Sequence, residues 1–261
     1  MTENKKTYTI AVAGKGGTGK TTFCGMLTDW MIHSGKDPIL VVDADANANL
    51  NEVLGVEVET TLGDIRELIA HADSDGSDVI PAGMSKQDFM DYKFNSALIE
   101  EDDFDMLVMG RSQGKGCYCF VNGLLQTAIQ KIQGNYRYIV VDNEAGMEHL
   151  SRGTLPAVDY LILVSDCSRR GIQAVARIAE LSQELKMTPK EIGLIVNRAP
   201  GGKLNDGILE EIQASSLKLI GVIPQDEMVY EYDSNGKPTA YMPETAPSKK
   251  AVIEIAEKLF D

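Results

Sequence analysis

Gly14-Lys15-Gly16-Gly17-Thr18-Gly19-Lys20-Thr21 fits G-x-x-x-x-G-K-[ST] and follows Tyr8-Thr9-Ile10-Ala11-Val12-Ala13, an apolar run that reads as a buried strand. Glycines let a backbone turn sharply and aim successive N–H groups at phosphate oxygens, at the N-terminus of the helix that follows. Lys20 adds a point charge, Thr21 a hydroxyl for Mg²⁺, and Thr22 comes next on the helix. The stretch therefore predicts a phosphate-binding loop that holds a nucleoside triphosphate. Gly14, Gly16 and Gly19 also spell G-x-G-x-x-G, and Asp43 ends the next strand, as in a dinucleotide fold. Nothing in that second pattern calls for Lys20-Thr21, and the acidic strand end at Asp142 suits a triphosphate with Mg²⁺ better.

Outward from the loop, strand and helix patterns alternate, as in an α/β domain with a mostly parallel sheet and helices on both faces. Phe23, Met26, Leu27, Trp30 and Met31 recur at helical spacing up to His33, and Gly35 supplies a stop. Cys24 lies among them and reads as core packing. Ile39-Leu40-Val41-Val42 is a second continuous apolar strand, ending in Asp43-Ala44-Asp45. Such runs suit a parallel sheet buried on both faces, with ligands beyond the carboxyl ends of its strands. Asp43 and Asp45 thus face the phosphates, where a carboxylate holds Mg²⁺ through water or orients the attacking water.

A helix is expected over Leu62–Ala70, then a loop and irregular helix to about 102, with His71 facing solvent. Phe104 to Gly110 reads as a short strand, followed by the glycine-rich turn Arg111-Ser112-Gln113-Gly114-Lys115-Gly116-Cys117-Tyr118-Cys119 and a helix over about 121–132. Tyr138 to Val141 forms a strand ending in Asp142-Asn143-Glu144-Ala145-Gly146. Asp142 is placed to hold the Mg²⁺ hydration shell, and Ala145 and Gly146 offer N–H groups to a γ-phosphate. Glu144 and His149 read as structural. Tyr160 to Val164 is a strand, Cys167 beyond it an inert thiol, Arg169-Arg170 a solvated or salt-bridged pair. A helix over 172–185, strands at Ile192–Asn197 and Leu219–Ile223, and an amphipathic helix from Ser248 to Phe260 complete the pattern; the last is expected to dock on the domain.

The chain has 261 residues, 43% hydrophobic, which suits one domain over 1–261, because a boundary would cut the motifs apart. A net charge of −14 repels polyanions, so nucleic acid is not an expected partner. No run approaches the ~20 apolar residues of a membrane helix. With no export signal apparent, the expected location is the cytoplasm, where four cysteines are more often core, metal-ligating or redox groups than a disulfide framework.

G-K-G-G-T-G-K-T resembles the deviant Walker A loop of the MinD/ParA family, which also includes the nitrogenase iron protein and metal-insertion ATPases. In that family the extra lysine, here Lys15, crosses a dimer interface to the partner's nucleotide. The resemblance implies an ATPase that dimerises on ATP, with Lys15, Lys20 and the water-orienting Asp45 as catalytic residues and Asp43 in support. It carries Asn197, Arg198 and the Pro224-Gln225-Asp226 turn over as adenine contacts. One C-x-C pair gives two thiolates, and a structural Zn²⁺ site needs four ligands. A twofold dimer supplies them from Cys117 and Cys119 of both subunits. The order of strand, glycine-rich turn, C-Y-C and V-N-G-L-L resembles the CooC group, nickel-insertion ATPases that mature carbon monoxide dehydrogenase and acetyl-CoA synthase. It implies Ni²⁺, or Zn²⁺ in the same site, and a client nickel enzyme as partner. Two alternatives stand beside it, a positioning ATPase of the ParA/MinD kind and an iron-sulfur redox ATPase resembling the nitrogenase iron protein.

Overall fold

The computed structural model describes residues 6–75, 80, 81, 83–111, 119–145, 158–184 and 189–260; the side chains of 70–75, 86, 87, 119 and 120 are not among what is described. The strands are β1 (Tyr8–Gly14), β2 (Ile39–Ala44), β3 (Leu98–Glu100), β4 (Asp105–Val108), β5 (Tyr138–Asn143), β6 (Tyr160–Asp166), β7 (Glu191–Ala199) and β8 (Leu219–Pro224). The helices are α1 (Lys20–His33), α2 (Leu50–Leu54), α3 (Leu62–Asp75), α4 (Lys86–Ala97), α5 (Cys119–Ile132), α6 (Arg169–Glu184), α7 (Asp206–Ser215), α8 (Glu227–Ser234) and α9 (Pro247–Phe260). The strands form one sheet in the order β3-β4-β2-β5-β1-β6-β7-β8, parallel except where β3 runs against β4.

Successive strand residues feed opposite faces, which is why the strands read as unbroken apolar runs. Ile10, Val12, Ile39, Val41, Val140 and Ile162 pack with Phe23, Leu27 and Met31 of α1 and with Val252 and Ile255 of α9. On the other face Leu40, Val42 and Val141 meet Ile65 of α3 and Leu125 and Ile129 of α5. Ala11, Ala13, Leu161 and Leu163 meet Val175 of α6 and Ile212 of α7. The single α/β domain expected from the sequence is thus the fold observed, and Cys24 is fully buried in its core as anticipated. The C-terminal helix also docks as expected: Phe260 lies 5.3 Å from the Trp30 ring and 5.6 Å from that of Tyr138.

Several boundaries move. The helix from Leu62 runs on to Asp75, and the segment expected to be irregular is a regular helix, α4, capped by Ser85, whose hydroxyl accepts the Asp88 N–H. The antiparallel edge strand β3 and helices α2, α7 and α8 were not expected at all. Arg169 and Arg170 open α6, and Arg169 pairs with Glu211 at 2.9 Å.

Candidate nucleotide site

The loop between β1 and α1 can close only because two of its positions lack a side chain. A Cβ on Gly14 would lie 2.2 Å from the Val164 carbonyl oxygen of the neighbouring strand. Gly19 caps α1 at φ 89°, and a Cβ there would lie 2.3 Å from Asn197 Nδ2. That amide belongs to β7 and donates to the Thr18 carbonyl at 2.8 Å, while Asn197 Oδ1 accepts the Arg198 N–H at 2.8 Å. Thr18 donates its hydroxyl to the Lys15 carbonyl at 2.9 Å, and Lys20 Nζ lies 3.4 Å from the same oxygen. Lys20 is buried at the root of the loop; Lys15, Gly16 and Gly17 are exposed at its rim.

The two strand-end aspartates are register partners across β2 and β5. Asp43 is fully buried and accepts the N–H groups of Asp45 (3.0 Å) and Leu50 (2.9 Å). Burial pushes its carboxyl up to about 6 against those two donors. Asp142 is pushed up to about 7, again by burial first, with a hydrogen bond from Thr21 opposing and the charge of Asp43 adding. Its Oδ1 is buried without a hydrogen-bond partner among the described residues. An orphaned carboxylate oxygen beside a threonine hydroxyl at a helix start fits a Mg²⁺ hydration shell, and Asp142 with Thr21 would hold it. The ion would neutralise the crowded carboxylates and the phosphates they face.

Asp45 is half-buried and lines a cavity of about 840 Å³ with Gly16, Gly17, Lys20, Thr21, Thr22, Glu144 and Ala145. A second cavity of about 380 Å³ is walled by Asn197, Arg198, Pro224, Gln225 and Asp226, with Phe23, Met26 and Val229 as an apolar floor. The two share Gly19, Thr22, Arg198 and Asp233, so they form one cleft with a polar phosphate end and an apolar end of a size suited to a base.

The structure thus brings Lys15, Lys20, Thr21, Thr22, Asp43, Asp45 and Asp142 to the carboxyl ends of the central strands β1, β2 and β5 and puts Asn197 and Arg198, at the end of β7, beside them. Asp226 is also there, but its carboxylate accepts from Met228 N–H (3.0 Å), Ser248 N–H (2.9 Å) and Ser248 Oγ (2.8 Å), capping α8 and tying it to α9. Gly146, His149 and Cys117 lie outside the described residues, and Cys119 is the first residue of α5. Among the described residues no three His, Cys, Asp or Glu side chains form a metal-binding group, so Ni²⁺ or Zn²⁺ has only the sequence behind it. Cys167 is half-buried, and burial raises its thiol. Asp233, which lines both ends of the cleft, and Thr239, at its phosphate end, carry no motif and were given no role from the sequence.

Residues 9–239 match the model of the CobQ/CobB/MinD/ParA nucleotide-binding domain. The chain belongs to that family. An uncharacterized ATP-binding protein of Methanocaldococcus jannaschii is 43% identical over 97% of this chain and 98% of its own length. The carbon monoxide dehydrogenase accessory protein CooC of Rhodospirillum rubrum is 30% identical over 87% of each chain. The fold is that of the septum site-determining protein MinD of Pyrococcus horikoshii, solved with Mg-ADP, at a TM-score of 0.72 over 97% of this chain and 96% of that one, with 23% identity. The family match spans the loop of residues 14–21. No helix among the described residues is long and apolar enough to cross a membrane.

Proposed function

We propose that this protein is an ATP-hydrolysing metal carrier that dimerises on ATP and delivers Ni²⁺ to a nickel enzyme, carbon monoxide dehydrogenase or acetyl-CoA synthase. The observation that carries the reading is the Cys117-x-Cys119 pair, which follows β4 in the sequence, with Cys119 the first residue of α5. Similarity to a carbon monoxide dehydrogenase accessory protein along most of both chains supports it. Lys20 and the loop amides bind the β- and γ-phosphates, Asn197 and Arg198 with the Pro224 to Asp226 turn border the base, and Asp45 orients the attacking water. Exposed Lys15 reaches the partner's nucleotide, and the pairing brings four thiolates around one ion. Thiolates assembled only in the closed dimer give metal affinity a dependence on nucleotide, which carriage requires. The whole of 1–261 acts as one domain in the cytoplasm.

Anaerobic Ni²⁺ binding per subunit, with and without a nonhydrolysable ATP analogue, tests this against a Cys117→Ser, Cys119→Ser variant. About one Ni²⁺ per two subunits, lost in the variant and altered by nucleotide, is expected from four shared thiolates. Indifference to the cysteines would leave the second reading, a positioning ATPase of the ParA/MinD kind, which sequence similarity to a septum site-determining MinD favours. The charge of −14 counts against a DNA-bound version of it.

A further inference from the structure

Helix α8 borders the apolar cavity as an element fixed at both ends. Asp226 caps its start, accepting the Met228 N–H at 3.0 Å and, through its other oxygen, the Ser248 N–H and hydroxyl at 2.9 and 2.8 Å. Its end is closed by the Asn235 and Lys237 N–H groups on the Tyr232 carbonyl, at 3.2 and 2.9 Å, and by the Gly236 N–H on the Asp233 carbonyl at 3.0 Å. Val229 and Tyr232 pack on the core, and the Lys237 ammonium lies 5.6 Å from the centre of the Tyr232 ring. Tyr230, between them, is 75% exposed, the most exposed of the large apolar side chains among the described residues, where it has neither a hydrogen bond nor a ring contact.

Exposure alone would carry nothing, since single apolar side chains are common at a protein surface. Position gives this one a use. Tyr230 lines the same cavity of about 380 Å³ whose apolar lining includes Phe23, Met26, Val229 and Val252. Two polar side chains of that cavity are committed to the fold: Asn197 to the Thr18 carbonyl and the Arg198 N–H, and Asp226 to the two helix starts. Arg198 and Gln225, both exposed, remain for the edge of a base, and the apolar groups for its faces. A base is flat, so a floor of apolar side chains covers one face and leaves the other to water. An aromatic ring on the rim is the group that can cover it.

We propose that Tyr230 is a binding residue of the nucleotide site, its ring stacking on the outer face of the base while Phe23, Met26 and Val229 support the inner one. The proposal rests on the nucleotide reading of the cleft given above. Stacking uses the π-face that every base has, so Tyr230 sets how tightly the nucleoside half is held and leaves the choice of base to the groups at its edge. The contact is made away from the phosphates and serves ATP and ADP alike. It is the ring that acts, and the phenolic hydroxyl is dispensable.

Equilibrium binding of Mg²⁺-ADP is compared with that of Mg²⁺ and inorganic tripolyphosphate, which offers phosphates without a nucleoside. Tyr230→Ala should weaken ADP by about tenfold or more, within the usual range for removing a base-stacking ring, and leave tripolyphosphate within roughly twofold of the parent. Tyr230→Phe should bind ADP within roughly twofold of the parent. In Tyr230→Trp, the emission added to that of Trp30, the one native tryptophan, should be quenched by ADP and left unchanged by tripolyphosphate. ADP affinity indifferent to Tyr230→Ala, an equal loss for ADP and tripolyphosphate, or a phenylalanine variant as weak as the alanine one overturns the proposal. So does an added tryptophan signal that ignores ADP. A parent that binds ADP normally while the variants behave in any of those ways leaves the nucleotide reading standing, whereas a parent that binds neither ligand overturns both.

Discussion

Asp142 is a carboxylate held where water cannot solvate it, and that burial pushes its pKa up to about 7. Its raised value near 7 and that of Asp43 near 6 come first from burial, and the two sit side by side on adjacent strands. Folded values above the unfolded carboxylate range mean that the folded chain binds the extra protons. Their contribution to stability is complete below about pH 4 and is lost as pH rises through 6 and 7. The nucleotide-free protein should therefore lose stability over that window, and Mg²⁺ with nucleotide should restore more of it at pH 8 than at pH 6. Asp142→Asn removes the uncompensated charge while keeping the shape. Its nucleotide-free Tm at pH 8 should exceed that of the parent by a few degrees, about 1 kcal/mol being worth roughly 2–4 °C at this size. Its Mg²⁺-dependent ATP turnover should fall by about a hundredfold or more. A Tm unchanged or lowered at pH 8 would mean that Asp142 is already compensated in the native site.

At the scale of elements, α9 is fastened to α1 by a buried charge pair as well as by its apolar face. Lys249 is 1% exposed, and its Nζ bonds to the Asp29 carboxylate and to the Ala240 carbonyl. Removing one partner strands the other charge in a dry site, whereas replacing both with apolar residues does not. Lys249→Met should cost about 3–5 kcal/mol in urea unfolding, and Asp29→Leu with Lys249→Met should recover most of it. A double variant no more stable than the single one would show that the pair contributes through something other than charge compensation. The contact joins positions 220 apart in sequence, which is why no local pattern announced it. The central strands and α1 were legible, because Ile39 to Val42 and Tyr160 to Val164 are buried on both faces and the phosphate loop encodes its own turn. Three residues at a sheet edge, Leu98 to Glu100, carry too little pattern to declare β3. Helices α7 and α8 follow Asn205 and Asp226, whose side chains accept the Ile208 and Met228 N–H groups, but polar surfaces hid their periodicity. The residues of the candidate site could be read from motifs, whereas the bonds that shape it, Asn197 to Thr18 and Asp226 to Ser248, arise only when distant segments meet.

The whole molecule presents its candidate nucleotide cleft at the carboxyl ends of the central strands, with Lys20 buried and Lys15 exposed on the rim. A lysine so placed adds little to a nucleotide in its own subunit and much to one brought against it, where it meets the charge that develops on the transferred phosphoryl group. Lys15→Ala should therefore bind ATP within about threefold of the parent, yet remain monomeric with the nonhydrolysable analogue and lose turnover by about a hundredfold or more. Sedimentation velocity beside equilibrium nucleotide binding reads both properties. In the proposed dimer, association must also overcome the repulsion of two chains that each carry −14. Salt screens that long-range repulsion over a Debye length of about 10 Å at 0.1 M, while a lysine enclosed against a phosphate is screened much less. The analogue-bound dimer should thus tighten as NaCl rises from about 0.05 to 0.3 M, opposite to an interface held by exposed ion pairs. Dimers that weaken steadily over that range, or that form equally well from Lys15→Ala, would show that the subunits meet through another surface.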